Sequence, residues 1–318
     1  MRSSRTDDRA EDAPTDGTGD RAGRPSYPTR GGIDVLDSLL LRQPIAEGER
    51  EAVRSLLADW ADDHRDGDAR ALLPVDGVTL VTLFLDDGEF GRTGDADRDL
   101  ERGNALLWYV EVVDAGVDAW RTPDATVRDA SPLFEAGLAE LLTGAAMVHA
   151  GDRAGHRHAV HVTNPDRRAR YADAVGRPLI APVAGDELPI PVAIVSLALK
   201  PGATSALVAR ALDIVNRLKQ FDRVQSWARG ETETVEAEAM YTESLLLEAV
   251  GDRQVVHYYM ETEDMDRLYE AFSDSDDWEA RFSKWLFRRV LADPATFLEP
   301  PLNSDCEVLV HAVDPDRP

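Results

Sequence analysis

A single cysteine, Cys306, excludes an internal disulfide. Lysine is nearly missing: Lys200, Lys219 and Lys284 stand beside 32 arginines. Positive charge as a whole is short, with 35 Lys and Arg against 60 Asp and Glu, a formal charge of −25. Such a surface repels a phosphate backbone, which excludes nucleic acid as a partner. No run approaches the ~18 apolar residues of a membrane helix, so no membrane span is expected. The chain has no HExxH, P-loop, GxSxG or CxxC. Residues 1–30 hold no Val, Ile, Leu, Phe or Trp. They cannot bury apolar area and read as a disordered polar tail, without the apolar stretch of a signal peptide.

What remains is ample for a core: 318 residues, 43% of them hydrophobic. Aspartate outnumbers glutamate, 38 to 22. Short carboxylates with almost no lysine suit a cytoplasmic protein of a halophile, because at ~1 M salt the Debye length falls to ~3 Å and self-repulsion is screened. Structure is then expected to be lost at low salt. A melt unchanged between low and molar salt would contradict that expectation.

The two halves repeat. Ser38-Leu-Leu-Leu-Arg42 precedes a turn, as Ser196-Leu-Ala-Leu-Lys200 does. Leu106–Val110 matches Val255–Tyr259 in pattern, and Val160-His-Val-Thr-Asn-Pro-Asp-Arg167 matches Val310-His-Ala-Val-Asp-Pro-Asp-Arg317. The shared order predicts tandem units, 31–170 and 190–318, joined by a linker over 171–189. In the first unit, strands are expected at Val35–Leu41, Val78–Leu85, Asn104–Val112 and His158–Thr163, with helices at Glu49–His64 and Ser131–Met147. In the second they are expected at Val192–Leu199, Met240–Glu248, Gln254–Glu261 and Cys306–Val313. Helices there run from Thr204 to about Ala228, from Asp264, and over Trp278–Leu291. Each unit then reads βαββαβ, the ferredoxin-like α+β order.

Two helices cover only one face of such a sheet, yet the strands are apolar on both. In the last strand, Val308, Val310 and Ala312 form one face and Leu309, His311 and Val313 the other. At ~25 cal/mol per Å² of apolar area, the bare faces favour association. The simplest cover is the sister unit, sheet to sheet about a pseudo-twofold axis, which makes the chain an intramolecular pseudodimer able to stand as a monomer.

This layout resembles the dimeric α/β-barrel superfamily, which includes antibiotic-biosynthesis-type monooxygenases, stress-responsive barrel proteins and chlorite dismutase-like haem proteins. The second half is similar to short haloarchaeal domains of unknown function in that superfamily. Met240-Tyr-Thr-Glu-Ser-Leu-Leu-Leu-Glu248, Val256-His-Tyr-Tyr-Met-Glu-Thr-Glu-Asp264 and Leu268-Tyr-Glu-Ala-Phe272 carry that similarity. The resemblance implies a fused pseudodimer with a space between its sheets. It implies no single reaction, since members range from oxygenases to inert proteins.

The candidate site is that space. His257 and Tyr259 share one face of a central strand, with Trp108 and Val110 as approximate counterparts and Tyr241 beside them. An aromatic lining with one imidazole suits a flat organic ligand, or a haem with that histidine as axial ligand; aromatic core packing is the plainer explanation and is preferred to both. His161 and His311 hold equivalent places and face between the sheets if Val160 and Val310 lie under the helices. There they act as acid, base or ligand, or stand partly solvated at strand ends. His156 and His158 have a spacing workable for zinc, but no third ligand is evident. Three functions follow: a ligand-binding or non-catalytic barrel needing no cofactor, a cofactor-independent oxygenase-like enzyme, and a haem or metal protein. The first is the expectation carried forward.

Overall fold

The computed structural model describes residues 35–87, 89–90, 100–101, 103–113, 120, 122–144, 148–150, 160–163, 167, 179–182, 190–200, 240–250, 253–265, 284–285, 287–298 and 306–317. The polar tail, His156, His158, the expected helix from Thr204 to about Ala228 and residues 266–283 of the two expected helices after it lie outside them.

In the first unit, β1 (Val35–Pro44), β2 (Val78–Asp86) and β5 (Ala105–Val113) follow the apolar runs that predict them. The connection between β2 and β5 carries a two-rung hairpin, β3 (Glu89–Phe90) and β4 (Leu100–Glu101). Helix α1 (Arg50–Asp63) buries Val53, Leu57, Trp60 and Ala61, a stripe at helical spacing, and α2 (Ala69–Leu72) follows with Asp68 as its cap. In place of the one helix expected over 131–147, three short pieces run from Pro123 to Leu141. Helix α3 (Pro123–Ala130) starts eight residues earlier, with Pro123 in its first turn. It stops at Ser131, whose hydroxyl donates to the Leu72 carbonyl at 2.9 Å. A π-helical turn (Phe134–Leu138) with Gly137 at φ 114° and α4 (Ala139–Leu141) follow. Pro132 and a left-handed glycine break the helical ladder that the apolar periodicity suggests. Strands β6 (Val148–Ala150) and β7 (Val160–Thr163) follow.

The segment expected as linker contributes β8 (Ile180–Pro182), an edge strand against which α1 packs. The second unit supplies β9 (Val192–Ala198), β10 (Met240–Val250), β11 (Arg253–Thr262), α5 (Ala295–Leu298) and β12 (Cys306–Val313).

Besides the β3-β4 hairpin, the described residues form two antiparallel sheets, ordered β6-β1-β5-β2-β12-β8 and β7-β10-β11-β9. Within each unit the first strand pairs with the third and the third with the second, the ferredoxin-like order. The fourth strands are exchanged. β12 of the second unit pairs with β2 of the first, and β7 of the first unit pairs with β10 of the second. Each unit also docks the end of its second helical segment on its first strand by the same two bonds. The Ala46 amide donates to Leu141 and Thr143 to Pro44, at 2.9 and 3.1 Å; Lys200 donates to Val290 and Ala292 to Ala198, both at 2.8 Å.

The sheets stack face to face. Leu40, Leu80, Phe84, Leu107 and Tyr109 of the first sheet form one core with Ile194, Tyr241, Leu246 and Tyr259 of the second. A separate core lies between the six-stranded sheet and its helices, and a third covers the outer face of the four-stranded sheet. In β12 a bulge between Val308 and Val310 corrects the expected faces: Val308 joins Val313 on the inter-sheet side, while Val310 and Ala312 lie under the helices. The architecture is two tandem ferredoxin-like units packed sheet to sheet, a pseudo-twofold α/β barrel within one chain. No helix among the described residues is long and apolar enough to cross a membrane.

Candidate functional site

Strand alternation places Tyr109 on β5 and Tyr259 on β11 toward the opposite sheet, where their rings stack at 3.5 Å with 10° between planes. Behind each ring stands the same relay. The Tyr109 hydroxyl is 2.7 Å from Ser244 Oγ, which is 2.7 Å from His161 Nδ1. The Tyr259 hydroxyl is 3.5 Å from Thr82 Oγ1, which is 2.9 Å from His311 Nδ1. The exchanged strands explain the pairing, since His161 sits directly opposite Ser244 and His311 opposite Thr82.

A layer of buried charge flanks the relays. Arg167 Nη1 lies 3.1 Å from Glu111 Oε2 and donates to Thr242 Oγ1 at 2.9 Å. Arg317 Nη2 donates to Glu261 Oε1 at 2.5 Å, and its Nη1 is 3.9 Å from Glu111. These arginines end the two Pro-Asp-Arg motifs, so each motif delivers a guanidinium to a glutamate that would otherwise be an uncompensated buried charge. Burial sets the protonation states. It pushes His311 down to about 4, against a smaller upward pull from Glu261, so the ring is neutral. It raises both tyrosines well above 10, helped by the nearby glutamates, so both keep their protons.

A second constellation lies off the axis. Ser196 on β9 is directly opposite His257 on β11, and Glu248 on β10 stands two residues beyond Leu246, the partner of His257 on its other side. His257 Nδ1 is 2.8 Å from Ser196 Oγ, and Nε2 is 2.8 Å from Glu248 Oε2. With Glu248 ionised, Nε2–H donates to the carboxylate, so Nδ1 accepts from the serine hydroxyl. Relative exposures of 3%, 0% and 2% show that Ser196, His257 and Glu248 are all buried. Ile194, Leu246 and Tyr259 flank it on the same face. The first-unit hairpin and β12 lie against β9.

The first unit shows what the same positions otherwise hold. Leu107 takes the place of His257, Arg42 that of Ser196 and Asp86 that of Glu248, by the same strand registers. There Arg42 Nε meets Asp86 Oδ2 at 3.3 Å, and the guanidinium also bonds the Gly103 carbonyl. One unit carries an ion pair across an apolar residue; the other carries hydroxyl, imidazole and carboxylate in series.

Of the residues expected at the site, Tyr259, His161 and His311 meet in the axial network. His257 belongs to the off-axis series. Tyr241 faces the inter-sheet core, with its hydroxyl donating to Glu263 at 2.9 Å. Trp108 lies on the other face, stacked on Phe134 with centroids 6.1 Å apart. The expected match of Leu106–Val110 with Val255–Tyr259 is one residue out of step, and a one-residue slip exchanges faces. Tyr109 is the true counterpart of Tyr259. Ser196, Glu248, Glu111 and the two arginines escape the motif reading. The repeated Pro-Asp-Arg was the visible signal for the arginines; the expected match of Ser38–Arg42 with Ser196–Lys200 is four residues out of step with the ladders, which set Ser196 in the place of Arg42, and nothing local marks Glu248. A haem iron on His257 would have to replace its bond to Ser196 or Glu248. Among the described residues no group of three or more His, Cys, Asp or Glu has metal-binding geometry.

Strand order, fourth-strand exchange and facing sheets define a fused dimeric α/β barrel. No family model matches the chain, and no curated protein does. Solved structures similar to it include a candidate monooxygenase from Fusobacterium nucleatum, at 10% identity over 87% of this chain and 94% of that one, TM-score 0.38. Another, from Lactobacillus acidophilus, has 10% identity over 86% and 92%, TM-score 0.41. An anthrone oxidase-like protein has 11% identity over 88% and 92%, TM-score 0.31. Likenesses this distant carry nothing about chemistry, and the strand pairing alone defines the fold.

Proposed function

We propose that the chain is a fused α/β-barrel protein that takes a small organic molecule at its second unit, beside His257, while the first unit closes the barrel. One observation carries this reading. Positions that hold an ion pair in the first unit hold Ser196, His257 and Glu248 in the second. The axial tyrosines, histidines, glutamates and arginines occur in both units and serve the contact that both share. The off-axis series occurs in one unit, so the contact does not require it. Its neighbours Ile194, Leu246 and Tyr259 offer an apolar wall beside a polar point, the composition of a small-molecule site. The acid-rich, lysine-poor composition supports a cytoplasmic setting of concentrated salt.

Titration with 1-aminoanthracene, a flat and neutral fluorophore, tests this. The expected result is saturable binding at one site per chain. It weakens at least about tenfold in the triple variant Ser196→Arg, His257→Leu, Glu248→Asp, which rebuilds the first-unit ion pair, or in His257→Gln if the triple variant does not fold. Trp285, the one large hydrophobic exposed among the described residues, supplies the control, and Trp285→Ala is expected to bind as the parent does. Binding untouched by the His257 changes, or lost with Trp285, would contradict the reading.

A further inference from the structure

We propose that Ser196 is a nucleophile activated by His257 and positioned through Glu248, and that the substrate is a small, neutral carboxylic ester. This rests on the binding reading above and deepens it.

The bonding order carries the inference. With Glu248 as the carboxylate, it accepts the Nε2–H of His257 at 2.8 Å, and the Nδ1 lone pair then faces Ser196 Oγ, 2.8 Å away. The serine hydrogen is thereby committed to the ring, and the oxygen lone pairs are left for an electrophile. Two of the three groups lie on strands that flank β11, and the register fixes all three without a loop. Rigid strand positions hold the donor and acceptor distances at bonding range before any substrate arrives. Burial strengthens each link, because little water competes for the imidazole or the carboxylate. Where the first unit needs only cohesion, Arg42 and Asp86 supply it with a direct ion pair. A structural role in the second unit would be met as well by such a pair and gives no reason for an imidazole to stand between hydroxyl and carboxylate. The flanking side chains Ile194, Leu246 and Tyr259 are uncharged, which selects an uncharged acyl group.

In the reaction, Ser196 Oγ attacks the ester carbonyl carbon as its proton passes to His257 Nδ1. The Oγ–C bond forms, and the tetrahedral intermediate collapses with loss of the C–O bond to the alcohol. The departing alkoxide takes the proton from Nδ1. Water then adds to the acyl-serine, giving its proton to Nδ1, and the acid leaves as Oγ recovers that proton. Glu248 remains ionised throughout and stabilises the imidazolium. Ester and water give alcohol and acid, with no oxidant or reductant consumed.

The test is reaction of the full chain with an alkyl fluorophosphonate, followed by peptide mass spectrometry, with 1-aminoanthracene binding measured on the same preparation. The reagent forms an Oγ–P bond and releases fluoride. The expected result is one adduct, on Ser196, absent in Ser196→Ala. The labelling rate falls about 100-fold or more in His257→Gln and also falls in Glu248→Gln, whose side chain keeps its shape. Near-UV circular dichroism reports whether each variant keeps its aromatic packing. An unlabelled Ser196 in a chain that still binds the fluorophore overturns the nucleophile and leaves the binding reading standing. A chain that neither binds nor labels overturns both. Label on another residue only, or an unchanged rate in folded His257→Gln, also overturns the nucleophile.

Discussion

At the scale of single residues, His311 shows how burial decides chemistry. Its ring is neutral in the folded chain because its surroundings penalise charge, and its pKa there is about 4 against the ordinary 6.5. Between those values the unfolded chain binds a proton that the folded chain does not. The stability involved is fully present above pH ~6.5 and is lost as pH falls toward about 4, some ~3 kcal/mol in all. Urea denaturation across that window is expected to show this slope in the parent and to lose it in His311→Gln. An equal slope in the variant would contradict the account. The sequence places His161 and His311 in matching positions because the repeat is written around them. It does not show that Ser244 and Thr82 face them, since these partners come from the opposite unit. Trp108 marks the limit of a short aromatic match: Trp108 and Tyr109 are adjacent, and only the ladder with β1 and β2 decides which of them faces inward.

At the scale of elements, strands were the legible part. Their apolar residues on both faces mark each strand, and the boundaries of β12 agree with the expected ones. The helical segment after β5 was less legible, because Pro132 and Gly137 interrupt a periodicity that reads as continuous. β8 was hidden because three residues lack room for any pattern. The exchange of fourth strands lay beyond local reading, as both pairings are equally apolar. It carries a clear consequence. β12 lies between β2 and β8 and buries Leu309, Val310 and Ala312 beneath the helices of the first unit. Removing residues 306–318 therefore strips a strand from a sheet whose other members lie more than a hundred positions earlier in the chain. The expected outcome is loss of cooperative thermal unfolding for the whole chain, restored by adding a peptide of residues 304–318. A truncated chain that melts cooperatively within a few degrees of the parent would count against the exchange.

At the scale of the whole molecule, the need for a second cover on each sheet follows from composition and pattern alone, and a tandem pair is the economical answer to it. The centre of the contact is a different matter. Two buried glutamates and two buried arginines sit where a purely apolar core would be the simpler expectation, and the Pro-Asp-Arg repeats explain how they arrive. A buried, compensated charge layer contributes little net stability, but loss of one member is costly, at about 3–5 kcal/mol. Such a layer favours one register of sheet on sheet and disfavours slipped ones. The two halves are then equivalent at the axis and unequal away from it, and the proposed chemistry of the second unit rests on that inequality.

The barrel and the site within it require the two sheets to face each other with Tyr109 against Tyr259. Nuclear Overhauser measurements on the full chain, with tyrosine as the only labelled residue type, address this directly. Rings stacked 3.5 Å apart are expected to give strong cross-peaks between Tyr109 and Tyr259 that vanish on replacing either with phenylalanine in unlabelled form. A folded chain whose Tyr109 and Tyr259 signals show no contact would contradict the facing sheets and, with them, the site built between them.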